Sequence, residues 1–408
     1  GIKTACPVWE ARKIYSRIIL LPVDPPKYRE ITRRFLSIFS DYTDFVERYS
    51  IDEAFLDVTD WLKSSIFRHS EPQAKNPTRT LRSFADAQDD GEKSRGGKNR
   101  GAIWDGLWRD ALLLALEIQQ RIKKEIGEWL TCSVGAGPNK LIAKIASDLD
   151  KPDGVTIVKP WEISLLYEKL RLTDIPGIAK RMEARLNALG IFSVRDLAGY
   201  PESKLRASFG IVGHYLHEMG NFEGSGIIVT PEAESIKSMG HSYTLPRATG
   251  DERVIKKLFF KLSEKVAVRM RRRNFWGSVI SCYARFALDS ERVPLLLSKR
   301  GSPSRSGSGF GRSRRLGDFI NDGRLIFAEA WKIFRSFKIK SPLRMAGVTV
   351  SGLAENIRDE PLFEKYKKPI RALAAMDRVN GKYGEFTLRR AAILDAGGLV
   401  PDTVGFAR

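Results

Sequence analysis

Tyr49-Ser50-Ile51-Asp52-Glu53-Ala54-Phe55-Leu56-Asp57-Val58 decides how this chain is read, because it sets two neighbouring carboxylates inside an otherwise apolar segment. Its aromatic and branched residues favour a pleated, half-buried backbone, so the stretch is expected to be a core strand at the floor of an active site. Desolvating Asp52 and Glu53 there is costly unless a cation or a donor receives them. Neighbouring strand side chains point to opposite faces, so both acids reach one ion only if the strand bends or starts at that point. Taken alone, the ten residues suit equally a sheet strand whose carboxylates simply face water.

Composition narrows the choice of partner. A chain of 408 residues exceeds one ordinary core and implies several domains. Its 69 Lys and Arg against 49 Asp and Glu leave a net charge of +20 and a pI near 9.8, which points to a polyanion such as nucleic acid or an anionic membrane surface. No apolar run is long enough to cross a bilayer, and Gly1-Ile2-Lys3-Thr4-Ala5-Cys6-Pro7 lacks the apolar stretch of a secretion signal. Cys6, Cys132 and Cys282 form neither a metal-ligand spacing nor an even disulfide framework, which suits a reducing compartment. A cytoplasmic protein facing nucleic acid is expected.

Upstream of the carboxylates, residues 7–14 read as a short helix and residues 27–42 as a longer one introduced by Pro25-Pro26, with Ile31, Phe35, Ile38 and Phe39 on one face. Downstream, the composition shifts after Trp61, and about residues 63–104 are expected to form a disordered insert with too little apolar surface to offset ordering entropy. Leu112, Ala115, Ile118 and Ile122 then recur at helical spacing. A short strand, Cys132-Ser133-Val134-Gly135-Ala136-Gly137, leads into a helix whose first turn is expected to hold Pro138. Lys140 and Lys144 share one face of that helix, either facing phosphate or simply solvated. Lys151-Pro152-Asp153-Gly154 turns into a further strand.

Residues 172–197 carry a second informative piece. Ile175-Pro176-Gly177-Ile178-Ala179-Lys180-Arg181, followed by a helix through Leu189-Gly190-Ile191, resembles a helix-hairpin-helix, whose exposed backbone amides hold a DNA phosphate without reading bases. Lys180 and Arg181 reinforce the field, while Ala179 stands where such hairpins usually carry a second glycine. The alternative is a helical hairpin packed only for stability. A linker over residues 220–234 precedes a new domain. There, helix 251–273 ends in Arg269-Met270-Arg271-Arg272-Arg273, a cluster suited either to lying along a duplex or to solvation. Residues 299–315 are expected to be a second unfolded insert, and the rest alternates strand and helix.

In order along the chain, these pieces resemble the Y-family, lesion-bypass DNA polymerases of the bacterial DNA polymerase IV type. The resemblance lies in Ile2-Lys3-Thr4-Ala5 with Pro7-Val8-Trp9-Glu10-Ala11, Ser50-Ile51-Asp52-Glu53-Ala54, Ser133-Val134-Gly135 with Asn139-Lys140, Lys151-Pro152-Asp153-Gly154 and the Pro176-Gly177-Ile178 hairpin. It continues in Lys237-Ser238-Met239-Gly240-His241, Met345-Ala346-Gly347-Val348 and Asp377-Arg378-Val379-Asn380 with Tyr383-Gly384. The family implies an α+β multidomain right hand, here with partial fingers (1–24), palm (25–165), helix-hairpin-helix thumb (166–234), an α/β little finger (235–393) and a tail (394–408).

It also implies template-directed addition of deoxynucleotides to a primer 3′ end by two-metal phosphoryl transfer. By the resemblance, Asp52 and Glu53 are catalytic and metal-binding with two Mg2+ ions, and Lys151 contacts the incoming deoxynucleoside triphosphate. Lys140, Gly177, Ala179, Lys180 and Arg181 then hold primer-template DNA. A sliding clamp is a further partner to consider, although the tail from Val400 to Arg408 shows no clear clamp-binding peptide. Family members begin with a palm strand bearing an Asp-x-Asp-like motif, and Gly1 lies after it. The chain as written is therefore expected to be short of one metal-binding carboxylate and inactive by itself, with a non-catalytic DNA-binding remnant as the alternative.

Overall fold

The computed structural model describes residues 1–2, 6–68, 100–224, 226–230, 236–287, 309–337, 341–355, 357, 364–396 and 398–400. The chain divides into two compact units, Gly1–Glu234 and Ser235–Asp402. Among the described residues no helix is long and apolar enough to cross a membrane.

The first unit opens with α1 (Val8–Ile14), α2 (Pro25–Ser40), a hairpin of β1 (Val46–Arg48) and β2 (Ala54–Leu56), α3 (Thr59–Arg68) and α4 (Arg100–Glu125). Helix α2 begins cleanly because Pro25 occupies a first-turn position that needs no N–H, and the Asp24 carboxylate accepts the Lys27 N–H at 3.2 Å. Its buried Phe35, Ile38 and Phe39 pack on Leu114, Ile118 and Ile122 of α4, and the hairpin adds Val46, Ala54 and Leu56 to the same core.

Two expectations change here. The ten residues around the carboxylates are not one strand: β1 and β2 pair antiparallel, Arg48 opposite Ala54, and residues 49–53 make the turn between them. The first insert is also narrower than expected, since α3 continues to Arg68 and α4 already begins at Arg100; residues 69–99 of that insert lie outside the described residues.

A β-α-β unit follows, with β3 (Val134–Ala136), α5 (Lys140–Leu149) and β4 (Val155–Ile157), the two strands parallel. Asn139 caps α5 by accepting the Ile142 N–H at 2.9 Å, so Pro138 precedes the cap instead of filling the first turn. Gly135 lets the helix lie directly on β3: a Cβ there would stand 2.2 Å from the Ala143 carbonyl and the Ser147 nitrogen. The apolar face of α5, Ile142, Ile145 and Ala146, is buried in one core with Leu166 of α6 (Ile163–Lys169), Leu186 of α7 (Lys180–Asn187) and Leu197 of α8 (Val194–Gly199). Leu205 of α9 (Glu202–Phe209) and Leu216 of α10 (Ile211–Gly220) complete it. With that face buried, α5 directs its lysines the other way, toward the carboxylate turn.

The second unit is a four-stranded antiparallel sheet of β5 (Ser238–Thr249), β6 (Phe275–Phe286), β7 (Gly309–Ile320) and β8 (Leu343–Glu355) in the order β5-β8-β6-β7. Helices α11 (Glu252–Arg272) and α12 (Gly323–Arg335) bury Leu258, Phe259, Leu262, Ile326 and Phe334 against Ile280, Cys282, Val348 and Val350. The second insert is corrected at its end, because residues 309–315 pair with β6, Ser313 opposite Ser281 and Arg315 opposite Val279. A last helix, α13 (Glu364–Tyr383), is tied to α11 by the Arg271 guanidinium, which donates to both Asp377 carboxylate oxygens at 2.6 and 2.8 Å.

Candidate active site

The turn between β1 and β2 is held from outside itself. The Tyr49 and Ser50 N–H groups both donate to the Glu53 carbonyl at 3.0 Å, the buried Thr32 hydroxyl of α2 donates to the Ile51 carbonyl at 2.5 Å, and Arg48 Nε donates to the Ser50 carbonyl at 3.3 Å. Asp52 is exposed at the tip, and its Oδ1 accepts the Ser50 hydroxyl at 2.5 Å. The turn thus resolves the face problem of a straight strand: Asp52 and Glu53 sit where the chain reverses, and β2 starts at the next residue.

Around Glu53 the structure assembles residues far apart in sequence. Lys144 of α5 pairs with Glu53 Oε1 and stands 3.4 Å from Asp148 Oδ2, while Asp148 Oδ1 takes Lys151 Nζ at 2.5 Å. Burial works to lower the Lys144 pKa, but the hydrogen bond and charge of Glu53, joined by Asp148, outweigh it and hold the ammonium above its usual range. The Lys151 loop is itself anchored to α4: the Asp153 carboxylate accepts the Cys132 N–H at 3.2 Å and the Gln119 amide at 3.1 Å, and it pairs with Lys123. Glu53, Lys144, Asp148 and Lys151 therefore form an unbroken alternation of charge. Sequence reading placed Lys144 on a face but did not find its partners, and it missed Asp148.

Lys140, expected as a DNA contact, is engaged within the chain. Its Nζ pairs at 2.8 Å with Glu47 of β1, whose Oε2 also accepts the Val229 N–H at 2.8 Å, and it lies 5.8 Å from the centre of the Phe55 ring. Glu47 is buried, so removing its cation leaves an unpaired charge away from water. Lys140→Met is expected to cost about 3 kcal/mol of stability, read as a lowered midpoint in denaturant unfolding, whereas the exposed Lys180→Met should change it by less than about 0.5 kcal/mol.

The donors at the turn suit magnesium, a hard cation that takes oxygen ligands. Asp52 offers an exposed carboxylate, and Glu53 one already matched to a positive charge. Among the described residues no cluster of three or more His, Cys, Asp or Glu side chains is placed to hold a metal.

Around residue 177 a three-residue 3-10 turn, Leu172–Asp174, leads through Gly177 into α7. Gly177 has φ +98°, a left-handed conformation that favours glycine, and the exposed Ala179 (φ −88°, ψ 169°) caps α7 without a side-chain bond. Lys180 and Arg181 open α7 and are exposed, with neither drawn into an ion pair among the described residues. The arginine cluster at the end of α11 is otherwise engaged: Arg269 donates to the Gly240 carbonyl at 2.8 Å, Arg271 holds Asp377, and Arg272 pairs with Glu385 at 3.3 Å.

Compared with known proteins, residues 1–148 match the impB/mucB/samB family and residues 236–361 match the C-terminal domain of that family. The chain is 30% identical over 402 residues to DNA polymerase IV of Moorella thermoacetica, covering 98% of this chain and 85% of the relative. This chain belongs to the Y-family of DNA polymerases, DNA polymerase IV type. A second relative, DNA polymerase IV 1 of Bacillus subtilis, is 28% identical and covers 97% of this chain and 81% of the relative. A solved Y-family DNA polymerase chimera of Dbh and Dpo4 has the same fold, with a TM-score of 0.62 at 23% identity over 87% of this chain and 85% of that one. By family the polymerase is a DNA-directed DNA polymerase, a DNA-binding transferase of the translesion class. Its fold is the α+β polymerase fold expected from the sequence.

Proposed function

We propose that this polymerase adds deoxynucleotides to a primer 3′ end on damaged template, with Asp52 and Glu53 as its metal-binding acids and Lys151 as its triphosphate contact. The observation that carries the reading is the carboxylate turn joined through Lys144 and Asp148 to Lys151. Asp52 and Glu53 would hold Mg2+, which when bound would supply stabilisation of the negative charge that develops during phosphoryl transfer. The chain's own part is to hold the acids in a rigid turn, to keep a lysine within reach of the triphosphate, and to grip the duplex backbone through Gly177, Ala179, Lys180 and Arg181. Phosphate-dominated contacts of this kind hold primer-template DNA without testing base shape, which suits a lesion-bypass enzyme acting in the cytoplasm.

A second reading, a chain that binds DNA without extending a primer, is favoured by one observation: Glu53 is already paired with the Lys144 ammonium. Primer extension separates the two readings. With Mg2+ and deoxynucleoside triphosphates present, the first reading expects template-dependent extension that is lost in Asp52→Ala. Failure of the chain to extend any primer would leave only the DNA-binding reading.

A further inference from the structure

We infer that Lys144 is a positioning residue that couples occupancy of the acids at the turn to capture of the triphosphate by Lys151. This rests on the proposed polymerase site and extends it to a residue that touches neither nucleotide nor DNA.

Lys144 is only 18% exposed, so its ammonium cannot be left without an anion, and it has two in reach: Glu53, with which it is paired, and Asp148 Oδ2 at 3.4 Å. Asp148 is shared, because its other oxygen holds Lys151 at 2.5 Å. Positions 144 and 148 lie four apart on one side of α5, and Lys151 follows just beyond the Asp150 cap, where it reaches back to Asp148. Lys151, at 52% exposure, is the one member of the row free to swing on its stem.

In this arrangement Lys144 stands in for a cation at Glu53. When Glu53 turns to a divalent ion, Lys144 shifts fully onto Asp148, Asp148 relaxes its hold on Lys151, and Lys151 faces the triphosphate. By thermodynamic reciprocity, a bound triphosphate favours the ion at Glu53 to the same extent.

Equilibrium binding tests this on the 408-residue chain without requiring catalysis: Mn2+ alone followed by the resonance of the free ion, and a fluorescent deoxynucleoside triphosphate in Ca2+. Lys144→Met is expected to bind Mn2+ about fivefold tighter, having lost the internal competitor, and the nucleotide about fivefold more weakly, because Asp148 keeps Lys151. Adding Asp148→Asn to Lys144→Met is expected to restore nucleotide affinity to within about twofold of the parent, and Lys144→Arg alone to keep both affinities within about twofold. Asp148→Asn by itself retains Lys144 and is expected to tighten nucleotide binding about threefold, which keeps the test open if Lys144→Met does not fold.

A Lys144 that merely supports the fold would weaken both ligands together, with no rescue by Asp148→Asn, and that result overturns the inference. The two levels of failure are distinct. If Asp52→Ala and Glu53→Ala abolish Mn2+ binding while the rescue fails, only the coupling falls; if those two changes leave Mn2+ binding as it was, or if the parent binds neither probe, the active-site reading falls with it.

Discussion

Asp52→Ala or Glu53→Ala is expected to lower single-turnover primer extension by about a thousandfold or more, with DNA affinity kept within about threefold. The size of the effect follows from what the acids face. A thousandfold is about 4 kcal/mol of transition-state stabilisation, within reach of one ligand lost from an ion that carries charge on both entering and leaving oxygens. The two variants should differ in stability but not in outcome. Asp52 is exposed and bonded only within its own turn, so its loss should barely move the unfolding midpoint. Glu53→Ala removes a partner from Lys144, yet Asp148 remains to receive that ammonium, so the variant should still fold. Unchanged extension by Asp52→Ala would instead favour a helix-hairpin-helix binding module attached to a different enzyme.

The affinity for primer-template DNA should fall steeply with salt, by about a thousandfold between roughly 50 and 200 mM if about six phosphates are neutralised. The net charge of +20 supplies the field, and the exposed Lys180 and Arg181 beside the Gly177 turn supply a local grip. Changing both to alanine is expected to weaken binding to any sequence alike and to reduce the slope of log affinity against log salt by about two, measured by fluorescence anisotropy. A flat salt response would remove phosphate contact as the basis of binding. Because Arg269, Arg271 and Arg272 are engaged within their own unit, their replacement should act mainly on stability.

How much of this could be read in advance depended on how local each cause was. The carboxylate pair, the Gly177 turn and the Lys151 loop were legible because their chemistry lies within a few consecutive residues. The turn at residues 49–53 was not, because no glycine, proline or asparagine marks it; Thr32, from a different helix, holds its backbone. The role of Lys140 was hidden for the same reason, since Glu47 lies 93 positions away and only the fold brings the two together. Residues 309–315 of β7 fall inside the expected second insert because their serines, glycines and arginines match the composition of a flexible segment. What makes β7 a strand is the neighbour it pairs with, together with Phe310 and Leu316, which reach the core. Residues 63–68 of α3 and 100–104 of α4 fall inside the expected first insert, because there polar composition masks the helical periodicity.

We propose that the turn at Asp52 and Glu53 gathers divalent ions beside a bound primer end. Localised backbone cleavage addresses it directly: Fe2+ replaces Mg2+ in the complex of the 408-residue chain with primer-template DNA and nucleotide, and peroxide then cuts the polypeptide wherever iron is bound. The account expects cuts concentrated at residues 50–54, suppressed by excess Mg2+ and lost in Asp52→Ala. Cuts confined to other parts of the chain, or cuts at residues 50–54 that survive that substitution, would contradict it.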